Sequence, residues 1–214
     1  GTSRDLPQYN IDGLYTKVPL ELEPSESTFL VFGKNGEGLK DIGIKNYEEL
    51  TVLQDISKNW SVRLKNDQLK IDEEFELDRL QDLSQLEDET SKYFSGKIIY
   101  CTNFEFKNEF KSDKIFLDLG KVGVIAHVKL NGKKIGGLWT APWKLNISGH
   151  LKNGYNSLEV EVANLWVNQL VKDASKDKKQ SETWMLIEHN YDKNSPLPPS
   201  GLIGPVRLMK EYTN

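Results

Sequence analysis

The residues best suited to chemistry in this sequence are its carboxylates, because 32 of the 214 residues are Asp or Glu. Glu159 and Glu161 stand two residues apart in the run LEVEV, so on a strand both side chains point to the same side. Paired carboxylates about 5 to 9.5 Å apart, one of them with a raised pKa, can hydrolyse a glycosidic bond. Alternating charges on the outer side of a strand are nearly always solvated, however. We therefore predict that these two carboxylates are surface charges and that the chain contains no catalytic residue.

Histidine and cysteine, the usual activating bases and transition-metal ligands, are few in this sequence, with three His and one Cys. His127, His150 and His189 are far apart, and none belongs to a His-x-x-x-His or similar metal-binding or base-supplying pattern. The single cysteine, Cys101, excludes an intramolecular disulfide and any site built from several cysteines. A catalytic histidine or a cysteine-rich metal site is therefore not indicated.

Aromatic side chains offer a different chemistry, since indole rings stack on the CH faces of sugars while amides pair with sugar hydroxyls. Trp139, Trp143 and Trp166 lie in loop-rich stretches, and Asn164 and Asn168 flank the last of them. We predict these five residues as a sugar-binding set. An alternative stays open, in which the tryptophans fill the ends of a core or pack on a neighbouring domain and the asparagines cap turns. The proline before Trp143 and the apolar alternation after it favour a core role for that residue.

Strands are the elements expected to position these residues. In KIIYCTNFEF, residues 97–106, every second side chain from Ile98 is apolar or Thr, while Cys101 falls on the opposite side. Residues 158–162 alternate in the same way, and Asn131-Gly132 is typical of a tight hairpin turn. Several short alternating strands separated by Gly and Asn turns predict an all-β fold, a β-sandwich.

The first half of the chain is less regular. Residues 18–32 contain two short strand-like runs, and the Gly-rich segment 33–43 is typical of a linker. Residues 66–92 fit either a helix or strands, whereas the charged run 172–182 should be a solvated loop. We predict a small N-terminal β segment, residues 1–43, followed by a β-sandwich domain, residues 44–214.

Charge and hydropathy exclude two classes of partner. Lys and Arg number 28 against 32 acidic residues, so a net charge of -4 gives no basic surface field that would attract nucleic acid. No apolar run approaches the roughly 20 residues that a membrane-spanning helix needs. The first residues, GTSRDLPQYN, lack the apolar core of a signal peptide.

An ordered series of motifs carries a family resemblance. The motifs YFSGKIIYCTNFEF, IFLDLGKVGVIAHVKLNGKKIG, TAPWKLNISGHLKNGYNSLEVEVANLW and LPPSGLIGPVRL follow one another in this order, and the resemblance extends from about residue 60 to residue 208. The series resembles the galactose-binding-like jelly roll that serves as the sugar-binding domain of family 2 glycoside hydrolases. The resemblance is closer still to the C-terminal region of family 106 α-L-rhamnosidases, which have a similar Asn-Leu-Trp and Asn-x-Leu segment, here residues 164–170.

The resemblance implies a jelly-roll β-sandwich that acts in glycan degradation without catalysing it. In such enzymes the catalytic carboxylates belong to a separate barrel domain, so the implied partners are carbohydrate and an upstream catalytic domain of the same protein. Residues 18–32 resemble the closing strands of the domain before the jelly roll. Two alternatives remain, a free-standing carbohydrate-binding module and a purely structural brace for a catalytic domain.

The resemblance also bears on metal content and cellular location. A structural calcium ion is common in related jelly rolls, yet Asp113, Asp118 and Asp173 do not have the spacing of a calcium-binding motif. No other cofactor is expected. Secretion or export to the periplasm is implied by the family alone.

Overall fold

The protein is built almost entirely of antiparallel strands. The computed structural model describes residues 3–22, 26–32, 45–47, 49–107, 114–176, 181–183 and 190–211. In chain order its strands are β1 (Asn10–Asp12), β2 (Tyr15–Lys17), β3 (Leu50–Asp55), β4 (Lys58–Asn66), β5 (Ile71–Arg79), β6 (Lys97–Phe106), β7 (Ile115–Asp118), β8 (Lys121–Val122), β9 (Ile125–Leu130), β10 (Lys133–Leu138), β11 (Lys144–Asn146), β12 (Gly154–Ala163), β13 (Leu202–Gly204) and β14 (Arg207–Glu211). The helices are a 3₁₀ turn (Leu83–Gln85), α1 (Glu89–Lys92) and α2 (Val167–Asp173). Neither α-helix within the described ranges has the length or the apolar character to cross a membrane.

Two sheets form the sandwich. The larger has six strands in the order β10-β9-β12-β6-β4-β5, and the smaller has four in the order β11-β7-β14-β3. Strands β6 and β12 pair over their whole length, from Lys97 opposite Ala163 to Phe106 opposite Gly154. Two shorter pairs of strands are also present. Strand β13 pairs with β8, and β1 pairs with β2 near the N-terminus. The all-β sandwich predicted from the alternation is confirmed.

The core lies between the two sheets, where their inward side chains form one continuous cluster. Trp60 and Tyr100 are completely buried there, with ring centroids 6.4 Å apart in an edge-to-face arrangement. The indole N–H of Trp60 donates to the carbonyl oxygen of Ile56 over 2.9 Å, so burial of this polar group leaves no unmet donor. Ile98 and its alternating neighbours on β6 are buried as predicted, and Cys101 points outward.

Three predictions on local structure need correction or completion. Residues 18–22 and 26–32 form no strand, because strand-like composition becomes a strand only where a neighbouring strand supplies hydrogen bonds. The ambiguous segment 66–92 is strand β5 followed by two short helical turns, so neither single alternative describes all of it. The run 172–182 is not a simple solvated loop, since α2 extends to Asp173 and that side chain is buried. The predicted linker, residues 33–43, lies outside the described residues.

A small N-terminal unit has its own polar centre. The buried side chain of Asn46 donates to the carbonyl oxygens of Gln8 and Pro19 and accepts the N–H of Gln8 at 2.7 Å. The guanidinium of Arg4 lies 4.5 Å from the ring centre of Tyr47. Nine large apolar side chains in the segment 11–32 nevertheless remain exposed: Ile11, Leu14, Tyr15, Leu20, Leu22, Phe29, Leu30, Val31 and Phe32. Polar contacts therefore order this unit, and its apolar side chains contribute little to its stability.

The segment that precedes β13 passes through the core and is fixed on both sides. The N–H of Ser200 donates to Asp82 Oδ1 at 2.9 Å, and the carbonyl oxygen of Ser200 accepts the N–H of Leu83 at 3.1 Å. Gly201 follows with a φ of +82°, and a Cβ added there would lie 2.1 Å from the Tyr100 hydroxyl oxygen. Only glycine fits at this position, both for backbone conformation and for space.

This close approach predicts a large difference between two glycine substitutions. Gly132 in the β9–β10 turn has a φ of +77° with no atom within 4 Å of an added Cβ, so Gly132→Ala should cost only the backbone penalty, about 1–2 kcal/mol. Gly201→Ala adds a clash with Tyr100 and should cost at least about 2 kcal/mol more. Urea unfolding of both variants measures the difference.

Tyr100→Phe provides the matched second-site control. In the Gly201→Ala background it removes the clashing oxygen and should restore part of the lost stability, since the next ring atom lies 3.3 Å from the added Cβ. Equal losses for the two alanine variants, or no recovery in the double variant, would contradict the proposed contact.

Candidate functional site

One groove at the end of the sandwich brings together the most suitable set of side chains. It has a volume of about 420 Å³ and is lined by residues 65–68, residues 95–97 and Trp166. These segments are the end of β4 with the turn that follows it, the loop that leads into β6 with the first residue of that strand, and the residue just before α2. A volume of this size is within the usual range for pockets that bind small molecules.

Asn66 holds two walls of the groove together. Its side-chain oxygen accepts the N–H groups of Gln68 and Leu69, both at 3.0 Å, and so closes the β4–β5 turn. Its side-chain nitrogen donates to the carbonyl oxygen of Ser95 over 2.7 Å. A single amide therefore sets the distance between the turn and the loop before β6.

Asn164 holds the third wall. Its backbone N–H donates to Gly96 at 2.8 Å, and its side-chain nitrogen donates to the carbonyl oxygen of Phe94 at 2.6 Å and to Ser200 Oγ at 2.7 Å. Trp166 follows two residues later and forms one side of the groove. Gly96 allows the close contact, because an added Cβ there would lie 2.9 Å from the Lys65 carbonyl oxygen. The groove is thus shaped before any ligand arrives.

The groove contains two lysines on neighbouring strands. Lys65 on β4 is the register partner of Lys97 on β6. The Lys97 ammonium lies 3.2 Å from a carboxylate oxygen of Glu161, and the Lys65 ammonium lies 3.8 Å from one of Asp67. The groove therefore combines an aromatic wall, amide groups and two cationic side chains.

The other predicted sugar-binding residues lie in different surroundings. Asn168 is fully buried on α2 and donates to the carbonyl oxygen of Pro198 at 3.4 Å. Trp139 is 82% exposed after β10. Trp143 is partly buried and packs against the core, and its carbonyl oxygen accepts the N–H of Leu119 at 2.8 Å. Of the five predicted residues, Trp166 lines the groove and Asn164 supports it.

The carboxylates considered for catalysis lie in surface ion pairs. Glu159 is 2.6 Å from the Lys129 ammonium, and Glu161 is 3.2 Å from the Lys97 ammonium. Partial burial and the nearby carboxylate of Glu159 raise the pKa of Cys101, which disfavours the reactive thiolate. This part of the outer face has the composition of a solvated sheet surface.

Metal ligands do not gather in the part of the chain that the structure describes, where no group of three or more His, Cys, Asp and Glu side chains converges. Asp118 accepts the N–H of Gly120 at 2.8 Å, and Asp173 accepts the N–H of Glu182 at 3.0 Å. Asp113 and His189 lie outside the described residues. A structural calcium ion stays a prediction that derives from the family resemblance.

Comparison with known proteins identifies the family of this chain. The family described as glycosyl hydrolase 2 galactose-binding domain-like matches residues 76–196. The chain belongs to this family. The resemblance inferred from the ordered motifs is thereby confirmed, and the fold corresponds to the jelly roll that the resemblance implied.

Two relatives extend the comparison. A putative beta-glucuronidase of Formosa agariphila is 35% identical over 178 residues, which cover 72% of this chain and 15% of that protein. A solved structure of a rhamnosidase from Novosphingobium sp. PP1Y is 36% identical, with a TM-score of 0.76 over 95% of this chain and 19% of that one. The chain thus spans less than a fifth of either relative.

Sequence patterns identified Trp166 and Asn164 but missed Lys65, Asn66 and Lys97. Asn66 with the following Asp is a recognisable turn signal, and it could have marked the loop. The two lysines are 32 positions apart in the sequence, and only the register of β4 against β6 brings them together. That register depends on the whole sheet and has no local signal.

We expect truncation of the two tryptophans of the 139–143 loop to affect stability to different extents. Trp143→Ala removes a ring that packs on the core and should lower the free energy of unfolding by about 2–4 kcal/mol. Trp139→Ala removes an exposed ring and should change it by less than about 0.5 kcal/mol. Urea unfolding followed by far-ultraviolet circular dichroism compares the two. A Trp143→Ala variant with the parent's midpoint would show that this ring does not stabilise the core.

Proposed function

We propose that this chain is a non-catalytic accessory domain of a larger glycoside hydrolase and that it holds a saccharide in the groove beside Trp166. Family membership supports the connection with glycoside hydrolases. Identity of 36% to a rhamnosidase across 95% of the chain supports a rhamnosidase-like parent protein. The ion-paired state of Glu159 and Glu161 supports the absence of catalysis by this domain.

The observation that carries the binding proposal is the groove with its aromatic wall. A sugar ring buries its CH face against an indole, and its hydroxyls pair with amide groups at the rim. Asn66 and Asn164 fix the walls through hydrogen bonds of 2.6–3.0 Å, so little reorganisation is needed on binding. Trp139, although more exposed, does not line this groove.

A second role, as a brace for the catalytic domain, has its own support in the N-terminal unit. Nine large apolar side chains between residues 11 and 32 are exposed, more than isolated surface positions would give. The adjoining domain of the parent protein is the natural surface to cover them. Bracing and saccharide binding use different parts of the chain and do not exclude each other.

The parent enzyme would work outside the cytoplasm, secreted or periplasmic, because polymeric glycans do not cross a cell membrane. A net charge of -4 gives no reason to expect a nucleic-acid partner. Carbohydrate and the catalytic domain are the partners that we propose.

Replacing Trp166 tests the binding role. In titrations of the ¹⁵N-labelled chain with methyl α-L-rhamnoside and D-glucuronate, whichever saccharide binds should shift resonances of residues 65–68 and 95–97. Trp166→Ala should weaken that binding by about 1–3 kcal/mol, by analogy with base stacking on aromatic side chains. Trp139→Ala, the matched exposed tryptophan, should leave it unchanged.

Two outcomes would count against saccharide binding at the groove. If no saccharide shifts these resonances, the domain acts as a brace alone. If Trp139→Ala weakens binding while Trp166→Ala does not, the platform lies on the 139–143 loop instead.

Catalysis has a separate test. The purified chain, incubated with aryl α-L-rhamnoside and aryl β-D-glucuronide, should release aryl alcohol at the rate of the blank. Turnover that a single Glu or Asp substitution abolishes would contradict the accessory role, because it would identify a catalytic carboxylate within this domain.

A further inference from the structure

We infer that the groove selects an acidic saccharide, whose carboxylate or sulfate group lies between Lys65 and Lys97 while its ring packs on Trp166. This inference rests on the proposed function, since it names the class of saccharide that the same groove takes. The neighbouring strands, the ion pairs and the aromatic wall each contribute one step.

The first step is the register of the two lysines. Lys65 and Lys97 are directly opposite each other on β4 and β6, so their side chains leave the sheet on the same side. Like charges directly opposite on neighbouring strands destabilise a sheet. Facing cations also occur elsewhere in this sheet, where Lys129 is opposite Lys134 and Lys58 is opposite Arg79, although Lys129 has Glu159 as its partner on the other neighbouring strand. Lys65 and Lys97 differ from these pairs because both of their side chains line the groove beside Trp166.

The second step is the incomplete compensation of the two charges. Lys97 has one carboxylate oxygen of Glu161 at 3.2 Å, and Lys65 has one of Asp67 at 3.8 Å, beyond hydrogen-bond distance. Asp72 is the register partner of Lys65 on β5, but its carboxylate is bonded to Arg63 at 2.6 Å. The Asp67 side chain is 87% exposed, so water screens its attraction to Lys65. An ammonium carries three donors, and a single carboxylate contact leaves donors for a further anion.

The third step is the combination with Trp166. A small inorganic anion would need the two ammonium groups but would gain nothing from an indole ring. A neutral sugar would use the ring and the amides but would leave the facing cations as they are. A sugar that carries a carboxylate or a sulfate ester uses both features, since its ring stacks and its anion reduces the repulsion between the lysines.

The inference predicts an order of affinities for the full chain. ¹⁵N-labelled protein at low ionic strength is titrated with D-glucuronate, D-glucose 6-sulfate, D-glucose and sodium sulfate. At least one acidic sugar should bind at least about fivefold more tightly than glucose and than sulfate ion, as one or two partly screened ion pairs allow. The stronger of the two identifies the anion as carboxylate or sulfate ester. Added NaCl at about 0.5 M should remove most of this advantage by screening the charges.

Variants that remove one positive charge test whether the two lysines cause the preference for acidic sugars. Lys65→Met and Lys97→Met keep the aliphatic stem, and each should weaken binding of the acidic sugar about fivefold while leaving binding of glucose unchanged. Lys133→Met at the start of β10 is the matched control and should have no effect. Lys65→Met should change the unfolding midpoint little, because it removes both the repulsion from Lys97 and the screened attraction to Asp67 and Asp72.

The failures of the two proposals are distinguishable. If glucose binds as tightly as both acidic sugars and Trp166→Ala abolishes binding, the groove takes neutral saccharides and the charge inference is wrong while the proposed function stands. If sulfate ion binds as tightly as the acidic sugars, the lysines form a simple anion site and the inference is likewise wrong. If none of the sugars binds, both the proposed saccharide binding at the groove and this inference are wrong.

Discussion

The contact between Gly201 and the Tyr100 ring is the constraint on which the groove end of the sandwich depends. The chain crosses the core here because position 201 has no side chain, and the hydroxyl of Tyr100 lies where a Cβ would be. Ser200, fixed by this crossing, accepts the side-chain amide of Asn164 at 2.7 Å. That amide in turn positions the start of α2 and the ring of Trp166. A surface feature is thus determined by a packing requirement inside the core.

On the outer face of the six-stranded sheet, charged side chains are the main feature instead of apolar packing. Several of these charged side chains form ion pairs across neighbouring strands, as between Lys129 and Glu159. Such pairs contribute little stability each, yet they keep the face soluble and disfavour pairing with other sheets. Facing cations are also present, as in Lys129 opposite Lys134, and the pair of Lys65 and Lys97 is distinguished by its place in the groove beside Trp166.

Local patterns were enough to predict most of the fold. The alternation in β6 and β12 follows from the requirement that one side of each strand be buried, and the Asn131-Gly132 turn follows from its positive φ angles of 53° and 77°. The short helix α2 escaped prediction, because its polar Asn168 and Asp173 are buried by contacts with distant segments. The groove was predictable only in its aromatic wall. Its two lysines are neighbours because of the register of β4 against β6. That register depends on distant parts of the chain and cannot be predicted from a short stretch of sequence.

The asparagine that closes the β4–β5 turn has a consequence for the thermodynamics of recognition. A loop that orders only when a ligand arrives loses conformational entropy at that moment, and the loss reduces the affinity. Asn66 ties its turn to Ser95 in the free protein, so this ordering has already taken place during folding. Association at such a surface resembles the docking of two rigid bodies, with small backbone shifts and a rate governed by long-range attraction between charges.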